Sequence, residues 1–436
     1  MMRHACLSMA VVLAAACEAG SDSVTPNPAL EWADPVKVAT GQAYRGPWRM
    51  NDSEFLYVDD PAVALSGDHT YLAWVDNAGQ NVFFQHFDSE ATAQSDKPVN
   101  VSGSGEIFSW LPRVAVEGET VIVAWQEILF TGGSHGGEIL LARSSDGGRT
   151  FSDPVNLSNT TAGAGKGRLT RQRWDNGSLD VVITDGQVHV AWTEYEGALR
   201  VASSSDDGRS FSEPLHVTGD DDSPARAPSL AVGPDGRIWL AWTEGDSPQA
   251  DIHLAFSDDP PAGFSEPRRI RPSRRHADSP ALRVSANGRV HLVWTESERA
   301  PFRDSHIVHA SDVDGDGAFE TWAVISGDTM AVYPQLAVSG DRVMVSWERA
   351  EPNERRPYGI GYALSNDGGQ RFSEPARVSA TMREAYGKNG GNQGLLMRKL
   401  DLAENGRVAL GHATFLAGES SAVWLLHGHW HSPPEQ

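Results

Sequence analysis

Two stretches of the sequence combine an acid, hydroxyls and glycines at the same spacing. Residues 144–154 read SSDGGRTFSDP, and residues 204–214 read SSDDGRSFSEP. A carboxylate beside a hydroxyl can serve in proton transfer, so each stretch has the composition of a small active site. The pattern returns at 365–372 and, without its glycine, at 257–264. Because a catalytic acid is needed only once, the repetition favours a structural role, in which the carboxylate accepts backbone N–H groups across a turn.

A second set of candidates consists of arginines and aromatic residues in the longer connecting segments. A guanidinium holds a carboxylate through a two-pronged hydrogen bond, and an aromatic ring can stack on a sugar. The set predicts a rim that binds an acidic or polar glycan; the alternative is that these segments are simply polar and solvated. Its members are Arg45, Trp48, Arg49, Trp110, Arg113, Arg171, Arg173, Trp174, Arg226, Arg275, Arg383 and Tyr386.

Two further groups have the residue types that bind metal ions. Asp312, Asp314 and Asp316 alternate before a glycine, as in the first half of a calcium loop, although Ala323 stands where such a loop has its last glutamate. This segment is either a weak structural calcium site or a degenerate, solvated turn, and no other cofactor is expected. Near the C-terminus, HGHWH places histidines at alternate positions, where they bind a metal or lie in solvent.

The elements that position these residues repeat along the chain. Segments such as QVHVAWTE and RVHLVWTE have the β-branched content and the period of two of a strand. They place tryptophans at positions 74, 125, 192, 242, 294 and 347. A seventh copy, NGRVALGHATF at 405–415, carries His412 in place of the tryptophan. A period of this length indicates a repeat architecture.

Each repeat contains four predicted strands, which is the content of one β-propeller blade. The last repeat supplies only three strands, and residues 31–38, EWADPVKV, match the missing fourth in type. The sequence therefore predicts an all-β fold: a seven-bladed β-propeller over residues 29–436 whose N-terminal strand closes the last blade.

The repeated turns, with serine, aspartate, glycine and phenylalanine at blade spacing, resemble the Asp-box (BNR) repeat of the sialidase superfamily. The resemblance covers nearly all of 29–436 and implies that these turns lie opposite the active site. Sialidases carry an Arg-Ile-Pro motif, three arginines that hold the substrate carboxylate, and a tyrosine nucleophile. The resemblance makes Arg45 in YRGPWR the nearest counterpart of the entry arginine, Arg113 a further candidate, and Tyr333 in VYPQL the candidate nucleophile. The Arg-Ile-Pro motif itself is missing and sialidases have six blades, so the resemblance implies a non-standard member without a clear catalytic set.

The composition and the N-terminal segment indicate which partners and which cellular location to expect. Lys+Arg total 36 against 58 Asp+Glu in 436 residues, a formal charge of −22 that disfavours a nucleic-acid partner. The leading segment, MMRHACLSMAVVLAAAC, has the basic start and apolar core of a secretory signal over residues 1–17. This segment fits either cleavage by a signal peptidase after the alanines or attachment of a lipid at Cys17. Residues 18–28 would then form a flexible tether. The sequence predicts export to the periplasm, to the outer membrane as a lipoprotein, or out of the cell.

Two functions remain open at this point. The first is a monomer that binds a glycan, preferably an acidic one, or a cell-surface protein at the rim without turnover. Such a protein would contact a membrane only through its N-terminal lipid. The second is a carbohydrate-active enzyme, either a sialidase-like glycosidase or a polysaccharide lyase, that uses tyrosine with arginine there. A weaker third, an assembly factor, is implied by the resemblance alone. A tyrosine within hydrogen-bond reach of an acid or base, beside convergent arginines, would favour the enzyme.

Overall fold

The computed structural model consists of small antiparallel sheets arranged as the blades of a propeller. It describes residues 29–129, 137–170, 173–176, 178–246, 248–270, 275–299, 303–312, 314–319, 321–327, 330–349, 357–382, 387–390 and 398–431. These residues form six four-stranded sheets, one six-stranded sheet and one two-stranded hairpin. The predicted seven-bladed β-propeller is confirmed.

Each of the first three blades runs from an inner strand to an outer one in chain order. Blade 1 contains β3 (Val58–Ser66), β4 (His69–Asp76), β5 (Asn81–Phe87) and β6 (Val99–Asn100). Blade 2 contains β7 (Ser109–Glu117), β8 (Thr120–Glu127), β9 (Glu138–Ser144) and β10 (Val155–Asn156). A hairpin of β11 (Lys166–Thr170) and β12 (Arg173–Asn176) precedes blade 3, which contains β13 (Leu179–Thr184), β14 (Gln187–Thr193), β15 (Leu199–Ser204) and β16 (Leu215–Thr218).

The next three blades repeat the same order. Blade 4 contains β17 (Ala225–Val232), β18 (Ile238–Glu244), β19 (Asp251–Ser257) and β20 (Arg268–Arg269). Blade 5 contains β21 (His276–Val284), β22 (Val290–Arg299), β23 (Arg303–Asp312) and β24 (Thr321–Val324). Blade 6 contains β25 (Ala331–Ser339), β26 (Arg342–Arg349), β27 (Ile360–Ser365) and β28 (Ala376–Arg377), and a 3-10 turn follows at Ser379–Met382.

Blade 7 joins the two ends of the described chain. Its C-terminal strands are β30 (Leu400–Leu402), β31 (Arg407–Leu416) and β32 (Ser420–Trp430), and the short β29 (Lys388–Asn389) pairs with β31. Both N-terminal strands, β1 (Leu30–Trp32) and β2 (Val36–Gly41), pair antiparallel with β32. The predicted closure is therefore confirmed, with the closing segment divided into two strands.

The repeated tryptophans lie in the core between blades. Trp125, Trp192, Trp242 and Trp294 are at most 1% exposed, because the second strand of each blade is covered on both faces by neighbouring blades. In blade 7 the corresponding His412 is 2% exposed and pairs in register with Trp424. Burial lowers the pKa of His412 to about 3, with a further contribution from the positive charge of Lys399, so its imidazole is neutral at physiological pH.

The repeated serine–aspartate turns connect the third and fourth strands of their blades. In blade 2, the Oδ1 atom of Asp146 accepts the Thr150 N–H at 2.9 Å, and the Ser144 hydroxyl accepts the Gly148 N–H at 2.9 Å. Gly148 has a φ of 84°, and a Cβ there would collide with the Phe84 ring of blade 1. The same hydrogen bonds recur around Asp206 and Asp367, so these carboxylates hold turns, as the repetition predicts.

Candidate functional site

The face opposite these turns carries the connections that lead into the first strand of each blade, and we call it the mouth face. Among the connections there that are described at every residue, the longest is the segment 42–57 between β2 and β3. It folds back on itself, with the Gly46 N–H donating to the Glu54 carbonyl at 2.9 Å. The Asn51 amide fixes it to residues at the ends of two blade 2 strands: Nδ2 donates to the Ile128 carbonyl at 3.0 Å, and Oδ1 accepts the Phe108 N–H at 3.1 Å. The segment therefore has a defined shape.

The segment displays an exposed aromatic ring on a packed aromatic base. Trp48 is 45% exposed, yet its ring lies 5.5 Å from the buried Trp110 and 6.0 Å from the buried Phe55, measured between centroids. Trp110 is held in turn by its indole N–H, which donates to Asn77 at 2.7 Å. Trp48 thus has one face fixed against the protein and a substantial part exposed to solvent. This arrangement presents a flat apolar surface at low entropic cost to a ligand.

Cationic and polar side chains lie on the same segment as that ring. The Arg45 guanidinium lies over the Phe55 ring at 5.3 Å, and Arg45 pairs with Phe55 as an isolated β-bridge. Tyr44 and Arg49 are exposed beside it, and the Arg49 N–H donates to the Ser53 hydroxyl at 2.6 Å. We call Tyr44, Arg45, Trp48 and Arg49 the mouth patch. It brings together three of the residues that the sequence predicts for ligand binding, with Trp110 as their buried support.

Other predicted arginines are engaged within the protein. Arg226 is 1% exposed and pairs with Asp278 of the next blade, Nε to Oδ1 at 3.3 Å. The same carboxylate accepts the Thr243 hydroxyl at 3.1 Å and lies 3.4 Å from His276 Nε2. Burial alone would raise the pKa of Asp278, but Arg226 and His276 overcome that effect and hold the pKa below its usual range. Arg226 therefore joins blades 4 and 5 and does not lie at the surface as a ligand-gripping residue.

Arg275 is at the surface, and its charge is offset by acids. Its Nη2 atom lies 3.1 Å from Glu298, and its Nε atom lies 3.8 Å from Glu296. Glu296 is one of the acids that stand two residues after a core tryptophan in several blades. The corresponding acid has a local partner in another blade too. In blade 4, for instance, Glu244 accepts the indole N–H of Trp242 at 2.8 Å. These contacts fit the structural role that repetition suggests for the acids.

Tyr333 occupies a repeated backbone feature. It is 7% exposed, precedes Pro334, and has a φ of 53° at a β-bulge in β25. The same bulge, with a positive φ in the residue before proline, occurs in four other blades, at Asp60, Leu111, Ala227 and Ser279. A left-handed φ is uncommon outside glycine. Its repetition shows that the unusual backbone of Tyr333 belongs to the architecture of the inner strands.

Arg113 lines the central channel rather than the rim. It is 2% exposed, and its Nε atom lies 3.9 Å from Asp180 Oδ1 on blade 3. Arg398 of blade 7 crosses to the same carboxylate, with Nη2 at 2.7 Å from Oδ2, and donates to the Leu230 carbonyl at 3.0 Å. The cavity that remains between these side chains measures about 40 Å³, which is too small for a sugar ring. A glycan would therefore bind on the mouth face and not within the part of the channel that these residues line.

The predicted calcium ligands serve a turn. The Asp312 carboxylate accepts the N–H groups of Asp314, at 2.9 Å, and Gly315, at 3.1 Å. Asp316 accepts the Ala318 N–H at 2.8 Å. Within the described ranges, no three His, Cys, Asp or Glu side chains are grouped so that they could hold a metal ion. The Asp312 carboxylate is therefore used by the backbone of its own turn, and the calcium site and the C-terminal histidine site stay predictions.

Several predicted residues cannot be placed in this site. Arg173 and Trp174 belong to β12 of the hairpin before blade 3, where Trp174 pairs in register with Arg168. Cys17, Arg171, Arg383 and Tyr386 lie outside the described residues. Sequence reasoning missed Asn51, Phe55 and Arg398; the only signal for them was their position in segments that connect blades. In the described part of the chain, no helix is long and apolar enough to span a bilayer.

The comparisons with known proteins concern the fold. No family model matches the chain, and no curated protein matches it in sequence, so the Asp-box assignment stays a prediction. The polysaccharide lyase Uly1 is 11% identical with a TM-score of 0.58, over 92% of this chain and 100% of that one. A PL25 ulvan lyase is 11% identical with a TM-score of 0.56, over 90% and 96%. A protein of unknown function from Dyadobacter fermentans is 14% identical with a TM-score of 0.50, over 74% and 95%.

Proposed function

We propose that this protein is an exported propeller that binds an acidic glycan at the mouth patch. The observation that carries the proposal is the exposed ring of Trp48, which packs on Trp110 and on Phe55, the ring that the Arg45 guanidinium also covers. A sugar ring would stack on the indole, and the guanidinium would bind the sugar carboxylate or sulfate. In a chain with a formal charge of −22, a cationic and aromatic patch gives an anionic ligand a place to bind.

Uronic-acid polymers are the first ligands to test. The PL25 ulvan lyase that shares this fold was also solved bound to -[GlcA(1-4)Rha3S]-, which contains a uronic acid. That ligand belongs to the other protein, and it supports the choice of a uronate polymer as the first ligand to test on this chain. Sialosides form the second half of the panel because of the resemblance of the repeated turns to those of sialidases. A protein partner at the same patch is the outcome that remains if no glycan binds.

Binding without turnover is favoured by the placement of the candidate catalytic residues. Tyr333 is 7% exposed, and Arg113 is 2% exposed within the channel wall. The channel cavity beside Arg113 is about 40 Å³, and a glycosidase or a lyase would need a sugar ring at its catalytic groups. The mouth patch, on the segment 42–57, instead combines exposed arginines with an exposed aromatic ring.

The deciding experiment incubates the full chain with uronate polymers and sialosides and measures binding and turnover together. Binding is followed by calorimetry, lysis of a uronate polymer by the absorbance of its unsaturated product, and hydrolysis by new reducing ends. We expect heat of binding with at least one acidic glycan and no product in either assay. Product that disappears in Tyr333→Phe would overturn the binding proposal in favour of the enzyme. An absence of both binding and product would leave the protein partner as the function of the patch.

A further inference from the structure

A lysine on the mouth face lies at the junction of blades 2 and 3. Lys166, the first residue of β11, is partly buried, and its Nζ atom lies 5.9 Å from the centre of the Tyr195 ring. Tyr195 belongs to the connection between β14 and β15, at the mouth end of blade 3. Burial raises the pKa of its phenol, so the ring stays neutral and contacts the ammonium through its π face.

The Lys166 ammonium has no carboxylate to match its charge. Among the described residues, no acid lies within ion-pair distance of its Nζ atom, and burial lowers its pKa. The acid next to the tyrosine, Glu194, pairs instead with Arg200, Nε to Oε1 at 3.3 Å. The buried ammonium of Lys399, by contrast, lies 3.0 Å from Glu348. A partly desolvated cation without an anion is costly, so Lys166 favours a ligand with a negative charge.

The backbone that carries Lys166 is fixed to both neighbouring blades. Two residues earlier, the Ala164 N–H donates to the Gly137 carbonyl at 2.8 Å, just before β9 of blade 2. The Ala164 carbonyl accepts Nε2 of Gln126, on β8 of the same blade, at 2.8 Å. On the other side, the Thr193 hydroxyl of blade 3 donates to the Lys166 carbonyl at 3.4 Å. The lysine side chain therefore extends from a defined position beside blade 2.

The mouth patch lies on the other side of blade 2. Trp48 packs on Trp110 of that blade, and the Trp110 indole donates to Asn77 of blade 1. Gln126 points the opposite way, to the segment that leads into β11. The mouth patch and Lys166 are thus on the two sides of one sheet, and packed sheets lie about 10 Å apart. An oligosaccharide can span such a distance, whereas a single sugar ring is too small.

We propose that the glycan site extends from the mouth patch across the end of blade 2 to Lys166 and Tyr195, and that its ligand is an oligosaccharide with acidic groups on more than one sugar. This inference rests on the proposed function. One acidic group binds Arg45 while its sugar stacks on Trp48, and a later acidic group of the same chain binds the Lys166 ammonium. A sialoside with a single terminal carboxylate can occupy only one of these two cationic positions. The ligand class is therefore a uronate polymer.

The first test measures the binding of uronate hexasaccharides to the full chain by calorimetry. One hexasaccharide alternates glucuronic acid and rhamnose, the other contains galacturonic acid alone, and the two free uronic acids serve as short ligands. Lys166→Met should weaken the Kd for the hexasaccharide about five- to tenfold, the loss of one charge-assisted contact, and should leave the Kd for the free acid unchanged. Lys166→Arg should bind as the wild type does. So should the matched control Lys37→Met, which removes a lysine over the Trp424 ring of blade 7.

The outcomes distinguish this inference from the proposed function. If Trp48→Ala weakens hexasaccharide binding and Lys166→Met does not, the mouth patch binds the glycan and the extension to Lys166 is wrong. Binding of sialosides without binding of either hexasaccharide would also overturn the extension. If the wild type binds no acidic glycan at all, the proposed function fails, and this inference fails with it.

The second test requires no variant and therefore does not depend on the folding of Lys166→Met. The lysines of the full chain are acetylated with and without a saturating hexasaccharide, and the extent of reaction at each lysine is measured by mass spectrometry. Bound hexasaccharide should reduce the acetylation of Lys166 by more than half and leave that of Lys37 unchanged. Equal acetylation of Lys166 in the two samples would contradict the inference.

Discussion

The N-terminal strand that closes blade 7 offers a quantitative test of the fold. Leu30 is 4% exposed and pairs with Trp430 of β32. It packs in the hydrophobic cluster that blade 7 shares with blade 6, which includes Leu426 and Tyr362. The neighbouring Glu31 belongs to the opposite face of the same strand, and its side chain is 83% exposed. Shortening the Leu30 side chain therefore removes packing at the closure, whereas shortening the Glu31 side chain does not.

Leu30→Ala is expected to destabilise the protein by about 2–5 kcal/mol, the range for a leucine removed from a packed core. Glu31→Ala, the matched control, should change the free energy of unfolding by less than about 0.5 kcal/mol. Both values are measured by urea unfolding, followed by tryptophan fluorescence, with the m-value compared between variants. If Leu30→Ala were as stable as Glu31→Ala, the strand would contribute nothing to closing the ring, and the closure would be refuted.

Three further predictions concern residues of the core and the turns. Burial keeps His412 neutral and lowers its pKa to about 3, so below about pH 6.5 the unfolded chain takes up a proton there and the folded chain does not. The free energy of unfolding therefore decreases as the pH is lowered. His412→Leu should remove about 2 kcal/mol of the loss between pH 6.5 and pH 4.5 in urea unfolding, and an unchanged slope would contradict this. Ser144→Ala should cost about 1–2 kcal/mol, more than Asp146→Asn, because it leaves the buried Gly148 N–H without an acceptor whereas Asp146 is partly exposed; the reverse order would count against this account of the turn. Arg226→Met should cost about 3–5 kcal/mol by removing the guanidinium that compensates the charge of Asp278 in the core, and adding Asp278→Leu should recover much of that; no recovery in thermal unfolding would show that the cost lies elsewhere.

Much of the architecture can be predicted from the sequence because a blade has a local signature. The strand that carries Trp192 alternates in a recognisable way, and 405–415 keeps that pattern although His412 replaces the tryptophan. The closing segment could be found because EWADPVKV has the type of a fourth strand and no partner near it in sequence. Its division into β1 and β2 was not predictable, since it depends on the pairing with β32.

The site was predictable only where the residues lie in one segment. Arg45, Trp48 and Arg49 are close in sequence, and the structure keeps them together on the mouth face. Arg226 has the same residue type, but its partner Asp278 lies in the next blade, and only the packing of two blades shows that the pair is buried. Asp312 likewise has the spacing of a metal ligand, and only the structure shows that its carboxylate accepts backbone N–H groups.

The most direct test of the proposed function compares two exposed tryptophans. Trp48 is 45% exposed in the mouth patch, and Trp322 is 47% exposed on β24 of blade 5, so each can be replaced by alanine without opening a core. Calorimetry with the tightest-binding acidic oligosaccharide should show a Kd for Trp48→Ala at least about tenfold weaker than wild type, the loss of a central aromatic anchor. Trp322→Ala should bind as the wild type does. Equal affinities for the two variants would contradict glycan binding at the mouth patch.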